Sequence, residues 1–587
     1  MRTLIFTLSI FSFTLNCFAQ HVTIKQKPVN PQEALDNFYA QNYKKGLDQL
    51  LVLYKTDSLN IQYNQFIGVC YLNTYSNVPK AIPYFEFVIK QKKYDVYALY
   101  DLGLAYMHCH RFDDAIRSFE RFMEERKGKE VNLISADREI EMCKNALELI
   151  KKPLNVKFEN LGPVINSPFP EINPLINNDE TMLIFSSRRQ GNTGNMIDND
   201  GYCTPDIYFS EIKNNNWEKA KKISGGINTP YTELSVGLSP NADILFLCID
   251  DVNHKYKVLA SPKKGKTFVR PESLGEALYA NSNMTGACTS KDNKTLFFSS
   301  DKPGGRGGKD IYISKKLPSG EWSTPKNAGD MINTEYDEDY PIMSPDNETL
   351  YFASTGHNSM GGYDIFKSEW NKEDDTFSEP ENIGYPLNDT YDNKLISFTR
   401  SGRYAYLVTN RNDGLGDLDV YRVVFNDVKF RECIFRGEIL GKDTENIFSI
   451  LRNRIYDLQL AIDTLGKSYD SLTKAFKPSK KSPVNNDTSY TKLGNILNHY
   501  KDEILGIKDS FYVYVVVTDK KNTQSNALIY RPNQFTAKFI VPFLPGEYTL
   551  KIEAKGYLPY SKELIIYDNE SQPRLIEEDI HLQKKNN

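Results

Sequence analysis

Beyond its first twenty residues, the 587-residue sequence has no stretch of about 20 apolar residues, so no later segment is expected to cross a bilayer as a helix. It also lacks a basic block long enough to track a phosphate backbone. The 72 Lys+Arg stand against 76 Asp+Glu, a net charge of −4, and nucleic acid is not an expected partner. Cysteine is sparse and unpatterned. Cys70, Cys109, Cys143, Cys203, Cys248, Cys288 and Cys433 are odd in number and form no Cys-x-x-Cys pair, which argues for small buried hydrophobes over a disulfide framework or a zinc knuckle. No Gly-x-Ser-x-Gly elbow is present, so the nucleophile of an α/β hydrolase is missing.

What is present begins with an export signal. The opening MRTLIFTLSIFSFTLNCFAQ carries one early Arg, an apolar run from Leu4 to Leu15, and Cys17-Phe18-Ala19 ahead of Gln20, which reads as a signal peptide over residues 1–19. Cys17 raises the question of a lipid anchor, but Thr14-Leu15-Asn16 lack the small residue that lipoprotein processing prefers. The mature chain is expected to be exported and soluble, with any tether supplied by partners. Its length predicts roughly three or four domains. Tyr (37) and Phe (32) fall mostly in short alternating runs, which favours a large β component.

Residues 32–152 align with themselves at a shift of 34 to 35. Gly46-Leu47-Asp48-Gln49-Leu50, Ala81-Ile82-Pro83-Tyr84-Phe85 and Ala115-Ile116-Arg117-Ser118-Phe119 are successive copies, and Gly68 and Tyr71 recur as Gly103 and Tyr106. Small residues at these places let antiparallel helices approach closely, and the aromatics fill the seams. The stretch from Tyr100 to Ile116 is the best copy, and the pattern resembles tetratricopeptide repeats, about three in number. Val131 to Lys151, with Ile134, Ile140, Cys143, Ala146 and Leu147 on one face, is expected to cap the array. His108-Cys109-His110 has no supporting ligand at metal spacing and is read as an exposed polar turn.

Over residues 154–427 the period lengthens to about 52 to 62 residues and the pattern turns to strands. Ser299-Ser300-Asp301 leads through Gly304-Gly305-Arg306-Gly307-Gly308 to Asp310-Ile311-Tyr312. Related passages lead to Asp206-Ile207-Tyr208, Asp364-Ile365-Phe366 and Asp419-Val420-Tyr421, each preceded by an alternating strand after a tight turn. Such a repeated grammar describes propeller blades. The copies resemble PD40 repeats, a WD40-like family of exported bacterial propellers. Five begin near Pro170, Tyr231, Asn281, Tyr336 and Tyr391, with six blades as the alternative count. The second is degenerate, with His254-Lys255-Tyr256-Lys257-Val258 in place of the Asp-Ile-Tyr strand. Val156 to Gly162 reads as a closing strand without a blade of its own, expected to complete the last copy.

Two features imitate active sites. Gly304 to Lys309 looks like a phosphate loop, but Pro303 replaces its first Gly, Asp310 stands where Ser or Thr would bind magnesium, and a strand follows. Asp337, Glu338, Asp339 and Asp392 could suggest a glycosidase, yet they occupy equivalent lead-in positions of successive copies, which favours a structural role.

Residues 428–587 begin with a strand at Phe435 to Leu440 that continues only after an insertion, at Phe511 to Asp519. With Pro545-Gly546-Glu547-Tyr548 and Gly556-Tyr557, this region resembles the carboxypeptidase regulatory-like domain, a small β-sandwich without peptidase activity. In the insertion, residues 443–508, Ile455, Leu458, Ile462, Leu465, Tyr469 and Leu472 form a narrow apolar stripe. Lys477 to Ser489 is a polar break. Leu493, Ile496, Leu497, Tyr500 and Ile504 then mark a second helix, and the pair reads as a self-packed hairpin.

The expected fold is thus a tetratricopeptide α-solenoid, a five-bladed β-propeller, and a β-sandwich with a helical insertion. In this order the modules resemble PorE-type proteins, periplasmic accessory components of type IX secretion and gliding machinery. The resemblance implies a non-enzymatic scaffold without a catalytic, metal or cofactor site. Its partners would be envelope proteins, including an outer-membrane β-barrel of the PorP type. PorE-type proteins usually end in an OmpA-like domain, absent from this sequence, so peptidoglycan binding is not expected. The rival reading is a glycan-binding or glycan-processing propeller.

Overall fold

The computed structural model describes residues 29–74, 77–128, 134–250, 255–279, 282–442, 444–475, 488–508, 512–521 and 527–585. The leader over residues 1–19, Val131, His254, Asn281, Phe511 and most of the Lys477 to Ser489 break lie outside the described residues, as does the Leu472 side chain.

Seven helices open the described chain: α1 (Pro31–Tyr39), α2 (Tyr43–Tyr54), α3 (Ile61–Asn73), α4 (Ala81–Val88), α5 (Tyr97–His108), α6 (Phe112–Glu125) and α7 (Ala136–Leu149). Asn30, Asn42 and Asn60 start the first three by accepting from backbone N–H groups inside the first turn. Gly68 and Gly103 explain the close spacing of the next two pairs. A Cβ on either would stand 2.7 or 2.5 Å from the ring of Phe85 or Phe119, both fully buried. The helix expected from Val131 begins only at Ala136, because Ser135 caps it by accepting from Arg138 N–H at 3.3 Å. Ile140, Cys143 and Ala146 face the helical core.

Five antiparallel sheets of four or five strands follow, among the described residues, in a propeller-like arrangement. Their leading strands are Glu171–Ile176, Glu233–Leu238, Met284–Thr289, Glu338–Met343 and Ser397–Phe398. The first four pack side by side in sequence, and the first also packs against the fifth sheet. Tyr351 of the fourth sheet meets Phe398 of the fifth, ring centroids 4.7 Å apart, so each sheet has two sheet neighbours. The closing strand expected near Val156 is found as Val156–Asn160. It pairs with Asp419–Phe425, Val156 opposite Phe425 and Asn160 opposite Tyr421, so the start of this region is hydrogen-bonded to its end.

The remaining strands form two facing sheets over one apolar core. Cys433–Leu440 pairs with Lys538–Phe543, Leu575–Glu577 and Ile580–His581. Val513–Asp519 lies between Leu528–Tyr530 and Gly546–Ala554, and Tyr560–Ile566 completes that sheet. Alternation explains the layering: Val513, Val515 and Val517 point inward, while Tyr512, Tyr514 and Val516 do not. The insertion is an antiparallel pair of helices, Ile447–Ala475 and Thr488–Lys508, joined by the Arg454–Glu503 ion pair at 2.8 Å. Leu458, Leu497 and Ile504 are buried, but Ile496 is 41% exposed and falls off the seam expected to include it.

Candidate interaction surface

The recurring polar residues of the sheets are engaged within their own modules. Asp310 illustrates the rule: Arg306 N–H and Gly307 N–H donate to its carboxylate at 2.6 and 3.0 Å, and Asn327 Nδ2 donates at 2.8 Å. The glycine-rich loop does aim its amides at an anion, as a phosphate loop would, but the anion is a side chain four residues away. Asp419 accepts in the same way from Leu415 and Gly416, Asp364 from Met360, and Asp206 from Thr193. Gly307 is required by crowding, since a Cβ there would sit 1.6 Å from the Tyr336 carbonyl oxygen.

A second recurring element pins the next residue. Asn333 accepts from Ile311 N–H at 2.8 Å and donates to the Ile311 carbonyl at 2.9 Å. Asn228, Asn388 and Asn166 bracket Ile207, Ile365 and Val420 likewise. The degenerate second copy has neither residue. There the Tyr279 hydroxyl donates to the Val258 carbonyl at 2.6 Å and accepts from Leu274 N–H at 2.9 Å, replacing the asparagine clamp with a phenol.

The lead-in carboxylates are equally committed. Glu338 is fully buried, accepts from Thr334 N–H and Oγ1 and from Ser354 Oγ, and burial pushes its carboxyl up to about 7. Glu171 and Glu233 repeat the motif with Ser167 and Thr229, and burial raises Glu233 to about 7 as well. Asp337 accepts from Lys309 N–H and the Tyr363 hydroxyl. Asp339 pairs with Lys309 at 2.6 Å, and Asp392 with Lys394 at 2.7 Å. Among the described residues, no group of three or more His, Cys, Asp or Glu side chains is arranged to hold a metal ion. Six of the seven described cysteines are buried, Cys109 is half-buried, and all are free thiols.

The His108-Cys109-His110 segment ends in a turn with His110 exposed, as expected, but His108 and Cys109 are half-buried. His108 stacks on Tyr391 with ring centroids 4.1 Å apart, and its Nδ1 lies 3.2 Å from Thr390 Oγ1. Burial there depresses the imidazole to about 4, so it is neutral at pH 7. His110 meets Tyr385 edge-on. The segment is part of a contact between the helices and the ring, which sequence spacing had no means of signalling.

The centre of that contact is Arg138, only 3% exposed. Its guanidinium donates twice to the Thr355 carbonyl, at 3.1 and 2.9 Å, and to the His357 carbonyl and Ser359 Oγ at 3.0 and 2.9 Å. It also pairs with Glu141 at 2.6 Å and lies 4.7 Å from the Tyr336 ring centroid. Asn145 donates to the Ser359 carbonyl, and Met360 enters the helical core. At the other end of the array Lys44 pairs with Asp417 at 3.4 Å. One face of the ring is therefore partly occupied by the helices.

A second set of charges ties the ring to the sandwich. Arg422 bonds Glu180 at 2.5 Å, Glu159 at 2.9 Å and the Asp568 carbonyl at 2.8 Å, while Glu570 N–H donates to Glu180 at 2.7 Å. Arg403 pairs with Asp568. Neither Arg138 nor Arg422 stood out in the sequence, since each sits in an ordinary helix or strand without a motif around it.

An open cleft of about 790 Å³ lies where α7 meets the third and fourth sheets, bounded by Arg138, Glu141, Arg306, Asp330, Glu335 and Glu379.

No family model and no curated protein matches the chain. Solved structures do match part of it. The BT0996 RGII complex aligns at 7% identity over 49% of this chain and 98% of the other, with a TM-score of 0.33. The hydrazine synthase of Kuenenia stuttgartiensis aligns at 14% over 43% and 59%, with a TM-score of 0.24. A mutant NanB sialidase from Streptococcus pneumoniae aligns at 12% over 46% and 56%, also at 0.24. Likenesses this distant carry no chemistry to this chain.

Proposed function

We propose that the protein is a non-enzymatic scaffold of the cell envelope that binds other proteins. In this reading the helices are tetratricopeptide repeats, the ring is a five-bladed PD40 propeller, and the last module is a regulatory-like sandwich. The observation that carries it is the internal engagement of the recurring polar residues. The Asp, Asn and Glu side chains that a catalytic reading would recruit close turns, clamp strands and join neighbouring sheets. Their repetition around the ring follows from module packing, and no single copy is singled out for chemistry.

Buried Arg138 and half-buried Arg422 support the scaffold reading further, because they tie the helices and the sandwich to the ring. The setting we propose is the periplasm beside the outer membrane, with the protein as an accessory of type IX secretion or gliding and a PorP-type barrel among its partners. Crosslinking in intact cells, followed by purification of the tagged chain, tests this. The reading expects envelope proteins in the adducts; their absence would overturn it.

A further inference from the structure

The cleft between α7 and the third and fourth sheets has an unbalanced charge. Its two guanidiniums are already neutralised, Arg138 by Glu141 and Arg306 by Asp330, each at 2.6 Å. Glu335 and Glu379 also line it, both exposed, and no cation among the described residues stands within ion-pair distance of either. Burial keeps His357 below its ordinary value, so it adds no positive charge at pH 7. Four carboxylates thus face two cations. They come from separate walls: Glu141 from α7, Glu335 from the connection between the sheets, and Glu379 from the outer part of the fourth sheet. Met331, 45% exposed, and Pro380 and Tyr336 also line the cleft. A few apolar side chains in a cleft otherwise lined by polar and acidic groups suit long basic side chains, which lay their methylenes on apolar surface and carry the charge beyond it. The volume falls within the range of about 300–1,000 Å³ typical of ligand sites.

We propose that this cleft receives a basic, extended segment of a partner protein, with lysine or arginine side chains reaching Glu335 and Glu379. The inference rests on the scaffold reading and names the chemistry of its partner. The site exists only while the helices are docked on the ring, since Arg138 both fixes α7 and forms one wall.

The test uses the full mature chain and a fluorescein-labelled oligo-lysine peptide, with oligo-glutamate as control, read by anisotropy at physiological ionic strength. Removing two of the carboxylates with Glu335→Gln/Glu379→Gln should weaken oligo-lysine binding about tenfold. The matched pair Glu272→Gln/Glu321→Gln, exposed elsewhere on the ring, should leave it within about twofold. Equal weakening by both pairs, or no binding by the wild type, overturns the proposal. In cells, a photocrosslinking residue replaces Met331 and, separately, the exposed Ile540 of the sandwich. An envelope-protein adduct at Met331 that disappears in the Glu335→Gln/Glu379→Gln background supports the cleft. Adducts at Ile540 alone overturn the cleft and leave the scaffold reading standing, whereas no adduct at either overturns both. A Met331 adduct to a second copy of this chain overturns the proposed partner.

Discussion

Replacing Arg138 with alanine should open the junction between the helices and the ring while leaving each module folded. The substitution leaves the Thr355 and His357 carbonyls without the donors that satisfy them. Each acceptor stranded in a buried site costs about 1–3 kcal/mol. The lost pairing with Glu141 adds little, because that carboxylate is 56% exposed. A total of about 3–5 kcal/mol is consistent with breaking a buried charged contact by removing one partner. The lower figure already raises the population of the opened junction by about 150-fold, at about 1.4 kcal/mol per factor of ten. Amide hydrogen exchange reads this directly: protection should fall by about two orders of magnitude in α7 and in residues 355–360. The Lys326–Asn327 strand of the third sheet should be unaffected. Arg138→Lys should recover only part of the protection, because one ammonium cannot also replace the Nε and Nη1 groups that hold the Thr355 carbonyl and Glu141 in the fixed plane of the guanidinium. Unchanged exchange in Arg138→Ala would refute the assignment of this residue as the pin.

Other consequences follow from the same contacts. Gly307→Ala places a methyl 1.6 Å from the Tyr336 carbonyl oxygen, so the loop must move, and thermal unfolding of the ring should shift down by roughly 1–3 kcal/mol. Tyr279→Phe removes the hydroxyl that replaces the asparagine clamp in the second sheet and should cost about 1–2 kcal/mol by denaturant titration, whereas Tyr231→Phe, at an exposed site, should cost nothing measurable. Glu233 and Glu338 are raised from 4.5 to about 7 by burial, so the folded ring keeps protons that the unfolded chain releases. Its stability should therefore fall as pH rises from about 4.5 to 7, and Glu338→Gln should flatten part of that slope in melting curves. His108 works in the opposite direction. Its folded value is lowered from 6.5 to about 4, so the helix–ring junction should weaken as pH falls through that window, seen as faster exchange at its stacked partner Tyr391.

The regular parts of the fold were legible because each leaves a periodic trace. Gly68 and Gly103 repeat at 35 residues since each faces a phenylalanine ring one helix on, and the contact recurs with the repeat. The Asp-Ile-Tyr strands were legible for the same reason, and the unpaired strand at Val156 announced its partner by lacking a sheet of its own. Contacts that occur once leave no such trace. Arg138 lies in a helix whose pattern is fully accounted for by its core face, and its partners on the ring are more than 200 residues away. His108 could be judged a poor metal ligand from spacing alone, but its burial depends on Tyr391, which belongs to a different repeat family. Tyr279 was illegible for another reason. A phenol reached the clamp position from a short helix at Glu276–Tyr279, so the chemistry persisted where the motif did not. Ile496 fits helical spacing yet lies outside the seam, because a two-helix hairpin buries only one narrow stripe of each partner.

The central claim is that the recurring acidic and amide side chains serve packing and perform no chemistry. Calorimetric titration of the purified chain with divalent metals, nucleotides and oligosaccharides tests it most directly, with Asp337→Asn and Asp392→Asn as controls at the least enclosed of these carboxylates. The account predicts no saturable heat with any of the three. Saturable binding by the wild type that vanishes in either variant would contradict it.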